Sequence, residues 1–169
     1  SDRFGLLSQQ RVAAAYKAGK IQPDLIPVAI RSEQGWGLAT EDEGMRPDTT
    51  MEGLATLKTP FRPHGKVTAG NASPLTDGAT VSLLASEQAA KELGLSVKMK
   101  MVSFGFAGVA PEVMGIGPIP STEKALQRAG LSIGDIGAFE LNEAFAVQVL
   151  SFLDHFGIDD EDPRVNPWG

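Results

Sequence analysis

The stretch LNEAFA, Leu141 to Ala146, is where residue type and spacing in this chain point to chemistry. Phe139-Glu140-Leu141 reads as the end of a strand and Glu143 to Phe156 as a helix, which puts Asn142 on the turn between them. A side-chain amide there can hold a water or a carbonyl oxygen. The first free backbone N–H groups of the following helix lie beside it, and their partial positive charge favours negative charge that develops nearby. This combination suits stabilisation of an oxyanion or an enolate. Capping is the plainer account of an Asn at such a turn, because its side chain readily accepts from a helix's first N–H groups.

Other residues have the right chemistry for an anionic ligand. In TAGNAS, Ala69, Gly70 and Ala72 leave room for a ligand to approach the backbone, and Ser73 adds a hydroxyl; a plain turn has the same composition. Arg46, in DEGMRPD, carries a guanidinium shaped for phosphate, but Glu41, Asp42 and Glu43 are equally available to it as solvated ion partners. His64 sits in a Pro/Gly-bounded loop and His155 in the last turn of a helix, where an imidazolium is favourable. The acidic run Asp159 to Asp162 has no metal-ligand spacing and reads as a solvated loop. With no cysteine among 169 residues, disulfides and thiolate metal sites are excluded.

The elements that must position these groups alternate along the chain. Asp2 to Ala18 carries Phe4, Leu7, Val12, Ala15 and Tyr16 near helical spacing, with Gly19 as a stop. Ile26 to Ile30 is a short apolar strand, and Arg31 to Arg62 is polar, turn-rich and irregular. Ala79 to Leu84 reads as a strand, followed by a helix capped by Ser86 and ending at Gly94. A strand through Lys98–Ser103, a loop from Gly105 to Pro120, a helix from about Thr122 to Ala129 and a strand from Ala138 to Leu141 complete the series. Alternation of this kind argues for an α/β fold. The last helix is apolar nearly all round through Phe145, Val147, Val149, Leu150, Phe152, Leu153 and Phe156, so it is expected to be buried on most sides.

Composition sets the outer bounds. At 17.8 kDa and 42% hydrophobic residues the chain can build a core, and length alone favours one domain. A net charge of −6 offers no nucleic-acid footprint, and positive charge is only local. No apolar run approaches the length of a membrane span and no signal-peptide pattern is present. Cytoplasm is the default compartment.

Four blocks, KVTAGNASPLTDGA (Lys66 to Ala79), VMGIGPIPS (Val113 to Ser121), LNEAFA and VNPWG (Val165 to Gly169), occur in an order and at separations that resemble the thiolase family. Those enzymes cleave 3-oxoacyl-CoA with a second CoA or run the reverse condensation. The resemblance runs essentially end to end and implies a layered αβαβα thiolase fold, incomplete here. It implies that residues 1–75 are the C-terminal part of the loop (CoA-binding) domain, 76–97 the last strand and helix of the N-terminal core domain, and 98–169 the first part of the C-terminal core domain. By the same resemblance Asn142 is catalytic, holding a water at the thioester oxygen. Ala69 and Ser73 contact the pantetheine arm, Arg46 approaches the CoA phosphates, and Phe61 lies near the bound cofactor. Met114 lines the acyl pocket, and Ala144 and Phe145 complete the wall beside Asn142. Read without the family, Phe61 is equally a core residue and Met114 a gap filler.

The departures are as specific as the matches. The family attacks with a cysteine thiolate, uses a histidine in a Gly-His-Pro segment, and carries a second cysteine as acid and base; none of the three occurs in this sequence. Gly169 falls where a family member continues toward that histidine, so the chain reads as a fragment that stops in mid-motif. The implied reaction is ping-pong acyl transfer, with coenzyme A or acyl-CoA as substrate, no covalently bound cofactor and no metal. Homodimers or homotetramers and a hydratase/dehydrogenase subunit are the implied partners of the full-length enzyme, and the isolated chain is expected to be inactive. The alternatives are a non-catalytic thiolase-like protein that binds acyl-CoA or a partner, and a truncated product without function.

Overall fold

The computed structural model describes residues 1–169 and divides into two compact units, each with its own internal packing. The first joins residues 1–74 to residues 136–169, and the second is residues 75–135.

In the first unit, helix α1 (Asp2–Lys17) ends where the chain turns through Gly19 at φ +68°, a left-handed conformation that glycine adopts without strain. A hairpin follows, β1 (Val28–Ser32) against β2 (Gly35–Ala39), antiparallel, with Val28 opposite Ala39 and Ser32 opposite Gly35. The strand expected at Ile26–Ile30 is thus present, two residues later, as β1, whereas the region expected to be irregular, Arg31 to Arg62, contains its partner β2 and a short helix, α2 (Met51–Ala55), whose N-cap Thr50 hydroxyl accepts from the Gly53 N–H. Helix α5 (Ala146–Phe156) closes the unit and stops at Gly157, φ +65°. α1 packs against α2 and α5. The apolar core lies here: Phe4, Ala15, Leu54, Phe139, Ala146, Val149, Phe152, Leu153 and Val165 are buried.

The expectation that α5 is buried on most sides is corrected. Ala146, Val149, Phe152 and Leu153 form one buried face, whereas Val147 is 41% exposed and Leu150 and Phe156 are half-buried. The 100° step between residues places Val147 off the face that meets α1 and the following loop.

The second unit holds α3 (Glu87–Glu92), capped as expected by the Ser86 hydroxyl accepting from the Ala89 N–H, and α4 (Pro118–Ala129). α4 begins four residues before the expected start, because Pro118 suits the first helical position, where its missing N–H is not needed. Within the loop expected from Gly105 to Pro120, residues Pro111–Ile116 wind into 3-10 turns. Neither Ala79–Leu84 nor Lys98–Ser103 forms a strand, and Ala138–Leu141 contributes only a single bridge at Phe139. A strand exists by backbone hydrogen bonding to a neighbour, and neither of the first two is paired with another backbone segment. Their side chains stay in solvent: Val81, Leu83, Leu84, Met99 and Met101 are all at least 70% exposed.

Candidate functional site

Three of the sequence blocks meet in the first unit. Ala72 of TAGNAS makes an antiparallel bridge with Phe145 of LNEAFA. The Ser73 N–H donates to the Ala144 carbonyl at 3.0 Å and the Ala146 N–H to the Asn71 carbonyl at 2.9 Å. On the other side, Phe139 makes a parallel bridge with Val165, through Phe139 N–H to the Arg164 carbonyl (2.7 Å) and Asn166 N–H to the Phe139 carbonyl (2.8 Å). Asn142 lies between the two bridges.

Buried amides lock both flanking loops. The Asn71 side chain donates to Asp2 Oδ1 (2.7 Å) and the Lys66 carbonyl (2.9 Å), while its Oδ1 accepts from the Thr68 N–H (3.0 Å). Asn166, 3% exposed, accepts from the Leu141 N–H (2.7 Å) and donates to the Leu141 carbonyl (2.9 Å) and to Glu143 Oε1 (2.6 Å). The other Glu143 oxygen accepts from the Ser8 hydroxyl of α1 at 2.6 Å. No buried side-chain polar atom lacks a partner, as a low-dielectric site requires. The TAGNAS loop lies tight against α1 and α2 because glycines stand at the contacts. A Cβ on Gly5 would sit 2.8 Å from the Gly70 carbonyl oxygen, and one on Gly70 would sit 2.3 Å from Leu54 Cδ2.

A cleft of about 490 Å³ opens where these segments converge. Asn142 and Ser73 both line it, together with Ser8, Gln9, Glu140 and Glu143. The helix begins at Ala146 with Phe145 as its N-cap, not at Glu143, so Asn142 does not cap it. The expectation of several free helical N–H groups beside Asn142 is narrowed to the Val147 N–H, because the Ala146 N–H is already bonded to Asn71 and those of Gln148 and Val149 to Phe145. What remains at Asn142 is an exposed side-chain amide without an intramolecular partner, able to donate and accept at once.

The other candidate residues are distributed more widely. Ala69 is exposed on the TAGNAS loop. Ala144 and Phe145 contribute to the bridge rather than to the lining of the cleft. Arg46 is tied to the cleft wall by its backbone, whose N–H donates to Gln9 Oε1 at 2.7 Å, and its guanidinium donates to the Glu43 carbonyl at 3.1 Å instead of to any of the nearby carboxylates. Phe61 is 77% exposed, so it is no core residue, and it lines a separate depression of about 560 Å³ with Arg62, His64 and Lys66. Met114 belongs to the second unit and is exposed in the 3-10 segment. Asn71 and Asn166 lie inside the TAGNAS and VNPWG blocks with no spacing that sets them apart, and nothing in the sequence marks Ser8.

Ion pairs brace the site from outside. Arg164 bonds Asp162 at 2.7 Å, donates to the Ile136 carbonyl at 3.0 Å and lies 5.5 Å over the Phe139 ring. Hydrogen bonds from Arg164 hold the Asp162 carboxyl down to about 2. Arg11 of α1 donates to the Val165 carbonyl at 2.7 Å, and Arg3 pairs with Asp160.

Two family models match the chain: "Thiolase, N-terminal domain" over residues 1–88 and "Thiolase, C-terminal domain" over residues 95–169. A 3-oxoadipyl-CoA/3-oxo-5,6-dehydrosuberyl-CoA thiolase of Escherichia coli is 47% identical over 99% of this chain and 42% of its own length. The peroxisomal 3-ketoacyl-CoA thiolase B of Rattus norvegicus is 44% identical over 99% of this chain and 40% of its own. Among solved structures, the Bacillus anthracis acetyl-CoA acetyltransferase superposes with a TM-score of 0.94 at 39% identity, covering 99% of this chain and 42% of that one. Human mitochondrial 3-ketoacyl-CoA thiolase gives 0.89 at 36% identity with the same coverage. The chain thus spans about two fifths of the length of the curated relatives it matches.

Proposed function

Because the chain belongs to the thiolase family and carries an incomplete thiolase fold, we propose that it is part of an acyl-CoA C-acyltransferase that cleaves 3-oxoacyl-CoA with CoA, or condenses acetyl-CoA, by ping-pong transfer. The observation that carries this reading is the exposed, unpartnered amide of Asn142 facing the same cleft as Ser73, with their segments hydrogen-bonded to each other. In the proposed reaction Asn142 holds a water that stabilises the thioester oxygen as it becomes an enolate. Ser73 and Ala69 receive the pantetheine arm, Arg46 approaches the CoA phosphates, Phe61 lies near the bound CoA, and Ala144 and Phe145 form the wall beside Asn142; Met114 is read, by the family resemblance alone, as an acyl-pocket residue. Residues 1–75 supply the CoA-binding loop region, 76–97 the end of the first core half and 98–169 the start of the second.

Covalent acyl transfer needs a nucleophile, and these 169 residues contain no cysteine. The purified chain is therefore expected to be inactive, and cleavage of acetoacetyl-CoA by it would refute that expectation. Fatty-acid β-oxidation, a cytoplasmic location, assembly as a dimer or tetramer and a hydratase/dehydrogenase partner are further parts of the reading; the relatives' names include both 3-oxoadipyl-CoA and 3-ketoacyl-CoA thiolases.

The direct test is a chimera in which this chain replaces the matching segment of the Escherichia coli relative. The chimera is expected to cleave 3-oxoacyl-CoA in the presence of CoA. Asn142→Ala is expected to lower kcat by about 10²–10³, the usual cost of removing one oxyanion donor. A folded but inactive chimera, or an Asn142→Ala chimera as fast as its parent, would overturn the proposal.

A further inference from the structure

The side chains that fix Asn142 lie on parts of the chain far from it. Asn166 holds Leu141, the residue before Asn142, by both of its backbone groups, and it holds Glu143, the residue after, by the carboxylate. Ser8 occupies the remaining Glu143 oxygen. We propose that Asn166, with Glu143 and Ser8, is a positioning device for Asn142, setting where its amide points into the cleft. The proposal rests on the catalytic reading of Asn142 for its purpose but not for its test.

The chemistry of each member is specific. Leu141 presents one donor and one acceptor, and the planar amide of Asn166 meets the two with separate atoms, Oδ1 and Nδ2, while a second Nδ2 hydrogen is left for Glu143. Asn166 adopts φ +40°, a left-handed conformation that Asn tolerates better than other residues with a Cβ, whereas Gln would add a methylene to a site that is 3% exposed. The Glu143 carboxylate takes one donor on each oxygen, at 2.6 Å and 2.6 Å, so it serves as an acceptor bracket rather than as a base. With residues 141 and 143 both held, the backbone at 142 has little freedom, and a reacting group needs this kind of support.

The test uses the 169-residue chain labelled with ¹⁵N, the Asn142 side-chain amide being assigned through Asn142→Ala. In Asn166→Ala the hydrogen-exchange protection of the Leu141 amide is expected to fall by about tenfold, as for loss of one buried hydrogen bond. The Asn142 side-chain resonances should shift and sharpen as the amide loses its fixed orientation, while the amides of α5 keep their protection. Asn166→Asp should move the Asn142 signal in the same way at neutral pH, because a carboxylate cannot donate to the Leu141 carbonyl or to Glu143, while the Leu141 N–H keeps its acceptor and its protection. Ser8→Ala should give a smaller shift of the same kind. An unchanged Asn142 signal in folded Asn166→Ala, or in folded Asn166→Asp at neutral pH, would overturn the proposal. Should Asn166→Ala not fold, unchanged Asn142 signals in both Glu143→Gln and Ser8→Ala would do the same. An inactive chimera would count against the proposed reaction and leave this result untouched.

Discussion

Phe152→Ala is the perturbation that best measures what holds the first unit together. The ring is 3% exposed on the buried face of α5 and meets Phe139 edge-on at 6.4 Å and Phe156 at 4.8 Å. Truncating a buried Phe costs about 3–5 kcal/mol through lost transfer energy and the cavity left behind. The upper part of that range applies here, because two aromatic contacts worth about 0.5–1.5 kcal/mol each disappear with the ring. Phe139 also carries the bridge to Val165, so slackening of its packing reaches the segment before Asn142. Against a total stability of about 5–15 kcal/mol this is a large fraction. With a urea slope of about 2 kcal/mol/M the midpoint should fall by about 2 M, read by far-UV circular dichroism. Leu83→Ala is the control: the residue is 80% exposed in the second unit, and the change should stay within about 0.5 kcal/mol. If Phe152→Ala shifted the midpoint no further than Leu83→Ala, α5 would not be the centre of the core.

Other consequences are open to measurement. Asp162 is held down to about 2 by Arg164, so its contribution to stability is complete above the unfolded value of about 4 and is lost as pH falls through about 2; in Asp162→Asn, the part of the melting-temperature decline between about pH 4 and 2 due to this carboxyl should vanish. Gly5→Ala sets a gain of about 1 kcal/mol in helix propensity against a Cβ placed 2.8 Å from a backbone oxygen; overpacking costs about 1–3 kcal/mol, so a net loss of about 1 kcal/mol is expected from the same urea titration. Ser86→Ala removes the α3 cap and should cost that helix about 1 kcal/mol, seen as faster amide exchange from Glu87 to Ala90.

The helices were legible because their signals are local. The apolar spacing in α1, the Ser86 cap and the stops at Gly19 and Gly94 depend on residues within a turn or two of one another. Ala79–Leu84 and Lys98–Ser103 have strand composition, but a strand is completed by its neighbour, and composition is silent about whether one is present. The site shows the same division. Asn142 and Ser73 stood out by type and setting, and the structure brings them to one cleft. Ser8 and Glu143 are separated by 135 residues, Asn71 and Asp2 by 69, and Asn166 and Leu141 by 25, and no pattern along the chain encodes those pairings.

The discontinuity of the first unit bears on the order in which the chain can fold. α1 is made well before its partners Glu143, Asp160 and Val165. Until then Phe4 and Ala15 have nothing from α5 to cover them, and the bridge between Ala72 and Phe145 must close across the whole of residues 75–135. Closing a loop costs entropy that grows only slowly with its length, so the equilibrium tolerates the detour. The rate does not, because long-range contacts form late and leave apolar surface uncovered meanwhile. The cleft is thus among the last features to assemble, and a nascent chain that has not yet reached Val165 would hold all of TAGNAS and LNEAFA but no buried Asn166 to fix Leu141 and Glu143 in place.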